Sequence, residues 1–313
     1  MKVFVLGKLD SVTQWTESSV AGFRAAGHEV RLGVTRNPNV HRVIDRLLLR
    51  GTRIVQAIAE FSPDLIVAIA AYLAPLPILQ RVAALPGRPP LLGWVGDLFS
   101  AADRPAAELF DAVAYTDSGL MALHGELGFP SRAVFLPHAV NAALEPAAGG
   151  PQSSRHSSMV FVANPTPHRL ALVGAVRTPL TLYGPGWRQL QPTVHHVDAR
   201  RVGQAELGAI YQSHLAVLNI RNERNTLDGL NQRHFEPYLA ATPVITDDQP
   251  DLPRCFEPGR EILVYRNSDE LNDIYARLQR EPDRAAAIGE AGRRRVLAQH
   301  TFGRRLATLE EFV

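Results

Sequence analysis

Short apolar segments of strand length recur along most of this chain with helix-period stretches between them, and that alternation leaves few folds open. VFVLG (3–7), VRLGV (30–34), LIVAIA (65–70), LLGWVG (91–96), AVAYT (112–116) and AVFLP (133–137) are rich in Val, Ile and Leu on both faces, as strands covered on both sides are. Helical patterns lie between them, for instance 18–26, ended by Gly27, and 43–61, ended before Pro63. Strand and helix in turn predict a parallel sheet with helices on both faces. Residues 143–158, ALEPAAGGPQSSRHSS, hold Pro, Gly and Ser without an apolar period and read as a linker. The alternation then restarts with MVFVA (159–163), LTLYG (180–184), LAVLNI (215–220), PVITD (243–247) and EILVY (261–265).

The chain has 313 residues, about twice a common domain size, so two lobes are expected, over 1–142 and 159–313, with the last helix able to pack back on the first lobe. A net charge of only +2 argues against a general nucleic-acid binder. The single Cys255 rules out an internal disulfide and a Cys-rich zinc site, and favours a reducing compartment. MKVFVLGKLD enters a strand without the pattern of a secretory signal, and the longest apolar run, 65–79, is broken by Pro75 and Pro77, so a cytoplasmic protein is expected. Arg42, Arg46, Arg50 and Arg53 recur at helical spacing with Val43, Leu47, Ile54 and Ile58 on another side. A basic amphipathic helix of this kind can rest on anionic lipid at the inner membrane face, although a solvated face is the plainer reading.

Ligands of open parallel sheets bind beyond the carboxyl ends of the strands, so the residues just after each strand carry the chemistry. The stretch DGLNQRHFEPYLAATPVITDD (228–248) sets Asp228 and Glu236 around a Gly-led turn. A helix starting near Asn231 would turn the free amides of Gly229, Leu230 and Asn231 toward an anionic phosphate, with Glu236 about one and a half turns further in, within reach of a pair of sugar hydroxyls. Arg233, inside this stretch, and Arg169, in NPTPHR, suit a diphosphate, against solvated or carboxylate-paired arginines as the plain alternative. Gly184 and Gly186 in LYGPGW leave room for a flat base or serve an ordinary turn, and Trp187 stacks on a base or fills the core. Asn219 and Arg221 come at the end of the very apolar LAVLNI and just after it, and are expected to face the ligand.

The acidic pair with its seven-residue spacing resembles the signature of GT-B glycosyltransferases, and the run from FEPGREILVYRNSDEL to AGRRRVLAQHTFGRRL resembles the C-terminal half of the CgeB-like, group 1 members. The resemblance covers roughly 157–312; upstream it is only to a generic GT-B N-terminal domain. It implies an α/β protein of two Rossmann-like lobes with an interdomain cleft. The activity implied is transfer of a sugar from a nucleoside diphosphate donor, UDP among the candidates, to an unidentified acceptor, with no further cofactor. Glu236 corresponds to the acid that holds the donor ribose and Asp228 to the one near the transferred sugar. Two departures stand out: Asp in place of Glu at the first acid, and Ala241 and Thr242 before Pro243 where the broad pattern carries Gly.

GT-B enzymes generally neutralise the leaving diphosphate with helix ends and basic side chains, so no metal is expected even though Asp247, Asp248 and Asp251 could suit one. An inverting reaction would need a base, with Asp97 the first candidate and His138 the second, while retention, toward which the resemblance leans, would need none. As plain alternatives, Asp97 caps the turn before Leu98 and His138 is a packed histidine. Three other functions fit the same scaffold: a non-catalytic nucleotide-binding or partner subunit, a nucleotide-sugar epimerase, and a phosphorylase. The last is disfavoured in its pyridoxal form because the only lysines are Lys2 and Lys8.

Overall fold

The computed structural model describes residues 1–9, 13–36, 44–144, 156–190 and 192–312. The first set of apolar segments forms β1 (Lys2–Lys8), β2 (Glu29–Arg36), β3 (Leu65–Ile69), β4 (Leu91–Val95), β5 (Ala112–Tyr115) and β6 (Arg132–Phe135). Between them run α1 (Thr13–Ala25), α2 (Ile44–Phe61), α3 (Leu76–Ala83), α4 (Arg104–Ala107) and α5 (Ser118–Glu126). The strands pair in parallel in the order β2-β1-β3-β4-β5-β6, with Val5 of β1 opposite Leu32 of β2 and Val67 of β3. Alternate side chains enter opposite faces: Val3 and Val5 pack with Val67 and Trp94, whereas Phe4 and Leu6 pack with Ile66 and Ala68. Each such side chain, fully buried, contributes about 1.5–3 kcal/mol, which is why the sheet carries helices on both faces.

The second set forms β7 (His156–Val162), β8 (Leu180–Tyr183), β9 (His196–Asp198), β10 (His214–Asn219), β11 (Val244–Asp247) and β12 (Leu263–Tyr265). Its helices are α6 (Pro167–Gly174), α7 (Gln204–Gln212), α8 (Leu252–Cys255), α9 (Ser268–Arg280) and α10 (Pro282–Gln299). This sheet is parallel too, in the order β12-β11-β10-β7-β8-β9. Both sheets are therefore Rossmann-like, as the alternation predicts. The chain order reverses between β7 and β10, the switch point at which doubly wound sheets open a crevice beyond their carboxyl ends.

The chain divides into two compact units, Met1–Asn141 with Thr301–Val313, and Ala142–His300. The last helix, α11 (Phe302–Leu309), belongs to the first unit rather than to the lobe that precedes it. Phe302 is fully buried there, 5.9 Å from Trp94 and 6.1 Å from Phe23, and Arg305 donates to the carbonyls of Pro137 and His138 at 2.7 and 2.9 Å. Strand β7 starts inside the expected linker, and 145–155 lie outside the described residues.

Candidate functional site

At the switch point of the second unit, one side chain ties the two diverging halves of the sheet together. Thr166 caps α6, accepting from the Arg169 amide at 3.3 Å, and so fixes Arg169 in the first turn. The Arg169 side chain does not run out to solvent. It is 4% exposed, and its Nε and Nη2 donate to the Ile220 carbonyl after β10 at 3.1 and 2.9 Å while Nη1 donates to the Asn164 carbonyl after β7 at 2.9 Å. Burial, then the neighbouring charge of Arg233, pushes its pKa down to about 10 against the pull of Glu223, Asp247 and Tyr265. A fixed positive charge thus sits where the strands part, with much of its hydrogen-bonding capacity spent on the protein's own backbone.

The acidic stretch departs from the expected α-helix. Asn231 does act as an N-cap, but the residues after it form a 3-10 turn, Gln232–His234, and then a second, Glu236–Ala240, with Phe235 between them. Pro237 accounts for the break: it has no N–H for the Arg233 carbonyl, so an α-helical bond cannot form there. Fewer amides are consequently free for a phosphate. The Arg233 amide already donates to Asn231 Oδ1 at 2.9 Å and the His234 amide to the Asn231 carbonyl at 3.0 Å. Glu236 opens the second turn, next to Arg233 and Tyr211: its charge raises the buried Tyr211 hydroxyl after desolvation does, and opposes the desolvation that lowers Arg233. The turn ends at Ala241 with φ 49°, the left-handed region that glycine tolerates best, so the missing Gly leaves strain there of about 1–2 kcal/mol.

Asn219, at the last position of β10, joins these turns to the sheet. Fully buried, it exchanges bonds of 3.3 Å with the Asn231 carboxamide, accepts from Arg233 Nε at 3.4 Å and lies 2.9 Å from His234 Nδ1. His234 is 0% exposed and also touches Thr246 Oγ1 of β11 at 3.0 Å. One strand further, Asp247 Oδ1 accepts from the Arg221 amide at 3.1 Å and from Gln249 Nε2 at 3.3 Å, and Arg221 Nε stands 3.5 Å from its Oδ2. Burial raises the Asp247 carboxyl, with the backbone amides of Arg221 and Asp247 itself and the charges of Arg221 and His168 opposing. Just before these turns the Asp228 carbonyl accepts from the Asp251 amide at 3.1 Å and the Leu230 side chain is buried. Asp247, Asp248 and Asp251 do not converge: Asp248 pairs with Arg266 at 3.1 Å and Asp251 with Arg254 at 3.2 Å. Among the described residues no three His, Cys, Asp or Glu gather around a metal-sized space.

Gly184 and Gly186 serve a close backbone approach. A Cβ on Gly184, at φ +144°, would sit 2.2 Å from the Ala163 carbonyl oxygen, and one on Gly186 would sit 2.6 Å from Pro165. Trp187 is a core residue, packed on Phe161 at 5.7 Å with Nε1 donating to the Ala163 carbonyl at 2.7 Å. Thr246, His234 and Gln249 carry no signature that marks them in the sequence as site residues. Only the spacing of Asn231 and His234, cap and third residue of a capping box, hints at one of them.

In the first unit Asp97 accepts from its neighbour's amide, Leu98, at 2.8 Å and stands close enough to Tyr72 to raise that buried hydroxyl further, after desolvation. His138 is buried against Trp15, the rings 4.9 Å apart, and a Cβ on Gly96 would strike both. Arg42 lies outside the described residues; Arg46, Arg50 and Arg53 fall in α2, with Arg53 exposed. Among the described residues no helix is long and apolar enough to cross a membrane.

Two parallel doubly wound units, the second with a buried cationic and polar cluster at its switch point, define the GT-B architecture. Residues 168–311 match the family model described as glycosyl transferase-like. The chain is similar over 99% of its length to 98% of sucrose-phosphate synthase from Thermosynechococcus elongatus, with 12% identity and a TM-score of 0.69. It is similar over 99% of its length to the whole of Anabaena HepE, whose structure holds UDP-glucose, with 14% identity and a TM-score of 0.69. With AviGT4, a glycosyltransferase involved in avilamycin A biosynthesis, it shares 17% identity over 100% of its length and 97% of the other chain, at a TM-score of 0.66. Among curated proteins no sequence match is found. Residues 168–311 thus match a glycosyl transferase-like family model, and the chain has the GT-B fold of these structural neighbours.

Proposed function

We propose that this enzyme moves a sugar from a nucleoside diphosphate donor, most simply a UDP-sugar, to a hydroxyl-bearing acceptor without a metal ion. The observation that carries this reading is the pair of neighbouring arginines, Arg169 and Arg233, set among fully buried polar groups at the switch point. The UDP-glucose bound by the structural neighbour HepE supports the choice of donor. Arg233 meets the diphosphate and the fixed charge of Arg169 stands behind it. As the bond from the anomeric carbon to the phosphate oxygen breaks, that charge stabilises the departing oxyanion with no reorganisation at the moment of reaction. Glu236 holds the ribose hydroxyls, and Asp228 with Gly229 and Leu230 borders the transferred sugar. We favour retention, in which the leaving phosphate takes the acceptor's proton; an inverting reaction would make Asp97 the base, with His138 after it. We place the enzyme in the cytoplasm, where nucleotide sugars are made, with Arg50 and Arg53 of α2 available to an anionic membrane surface.

Calorimetric titration with UDP, GDP and dTDP tests the reading. One of them binds, and Glu236→Ala weakens that binding about 10-fold or more with the melting temperature unchanged, the scale of losing a buried hydrogen-bond pair. Equal affinity in the folded variant removes Glu236 from the site.

A further inference from the structure

His234 has no part in the reaction described, yet it is buried at the centre of the polar cluster. Four neighbours settle how it is used. The Asn231 backbone N–H, which can only donate, faces Nδ1 at 3.1 Å as the return bond of a capping box, whereas Asn219 Nδ2, also a donor, lies 2.9 Å from Nδ1 and 3.1 Å from Nε2 and does not choose between them. The Asn231 carbonyl is 3.2 Å from Nδ1 as well, but a proton on Nδ1 would set it against the Asn231 N–H, which has no other way to bond to the ring. Nδ1 is therefore the acceptor, so the proton sits on Nε2 and is donated to Thr246 Oγ1 at 3.0 Å. The Thr246 hydroxyl passes its own proton to Asp247 Oδ1 at 3.3 Å. Gln249 supplies the fourth contact. Its Nε2 stands 3.2 Å from the same Nε2, while its buried Oε1 has no partner among the described residues. Gln249 Nε2 has acceptors of its own in Asp247 Oδ1 at 3.3 Å and Thr246 Oγ1 at 3.5 Å, so its contact with His234 Nε2 is not a hydrogen bond.

We propose that His234, as the Nε2–H tautomer, is a positioning residue: it clamps the Asn231 turn to β11 and so presents Arg233 to the donor's diphosphate. This rests on the donor site assigned above. The imidazole never meets the donor. It acts through two linked chains, one from Nδ1 to the Asn231 cap, on whose Oδ1 the Arg233 amide rests, and one from Nε2 through Thr246 to Asp247, which holds the Arg221 amide. Loops on β10 and β11 are thereby locked to one another by a single ring. The apolar side chains alone would not impose this register, because a turn without regular i to i−4 bonding has little stiffness of its own.

His234→Gln and His234→Leu separate positioning from filling space. Glutamine at the third position of a capping box still reaches the cap amide; leucine fills the volume without the bonds. With both variants confirmed folded by melting, UDP affinity and donor KM of His234→Gln stay within about 3-fold of wild type, whereas His234→Leu loses about 10-fold or more with a smaller change in kcat. Two readouts do not need the donor. In the wild type, histidine nitrogen shifts report Nδ1 unprotonated and Nε2 protonated; by hydrogen exchange the Arg233 amide opens about 10-fold faster in His234→Leu than in His234→Gln. A protonated Nδ1, or a His234→Leu protein with wild-type amide protection, overturns the proposal, as does wild-type UDP affinity in that variant. If the wild-type protein itself binds no nucleoside diphosphate, the donor-site reading fails instead, and the tautomer and exchange data still decide the clamp.

Discussion

Replacing Arg169 with Met asks whether that side chain is chiefly a tie between strands. The substitution keeps an unbranched apolar stem without the guanidinium, and leaves the carbonyls of Ile220 and Asn164 without their donors. Bonds from a charged donor contribute about 1.5–3 kcal/mol each. Against this, the buried charge whose pKa is pushed down to about 10 carries a desolvation cost of about 3 kcal/mol, which Met recovers. The lost bonds exceed the recovered cost, because two buried carbonyls stay desolvated in the variant, for a net destabilisation of at least about 1.5 kcal/mol. At about 2–4 °C per kcal/mol the melting temperature falls by at least about 3 °C. Differential scanning calorimetry, with urea titration as the independent check, measures it. Arg169→Lys, which keeps the charge but reaches only one carbonyl at a time, falls between. A Met variant that melts with the wild type would refute the tie.

Gly184→Ala forces a Cβ to within 2.2 Å of the Ala163 carbonyl oxygen at φ +144°, so the loop must move; a loss of about 2–4 kcal/mol in urea unfolding is expected, and neutrality would contradict the close approach. Gly292→Ala places a Cβ 2.1 Å from Tyr238 Cε1, pushing α10 away from the turn that carries Glu236, and is expected to lower the melting temperature by several degrees, at about 2–4 °C per kcal/mol. His195 accepts from the Leu180 amide at Nδ1 and donates from Nε2 to the Val173 carbonyl, and burial lowers its pKa. The folded protein therefore binds fewer protons than the unfolded chain, and the stability this gives is lost as pH falls below the unfolded value of about 6.5 toward the lower folded one. Unfolding free energies between pH 8 and pH 5 should show that slope, and His195→Gln should flatten it.

The strands were legible because burial on both faces writes Val, Ile and Leu runs directly into the sequence, as in LIVAIA and LAVLNI. β9 was not: His196–Asp198 is three residues at a sheet edge, too short and too polar to show a period. The break in the acidic stretch could have been read from Pro237, whose lost N–H forbids the α-helix that the spacing of Asp228 and Glu236 suggests. Residue types told less about the cluster. Arg169 looks like any phosphate-seeking arginine until the fold brings the Ile220 and Asn164 carbonyls to it, and Asp247 looks like a turn carboxylate until Arg221 and Gln249 close on it. Such bonds join residues far apart in the chain, and no local pattern records them. For the same reason His234, flanked by Arg233 and Phe235, gave no sign that it is wholly buried.

A crystal structure of the protein with UDP bound tests the donor site most directly. The account predicts the diphosphate within hydrogen-bond distance of the Arg233 guanidinium and the ribose hydroxyls on the Glu236 carboxylate. Nucleotide density elsewhere, with Arg233 and Glu236 untouched, would contradict it.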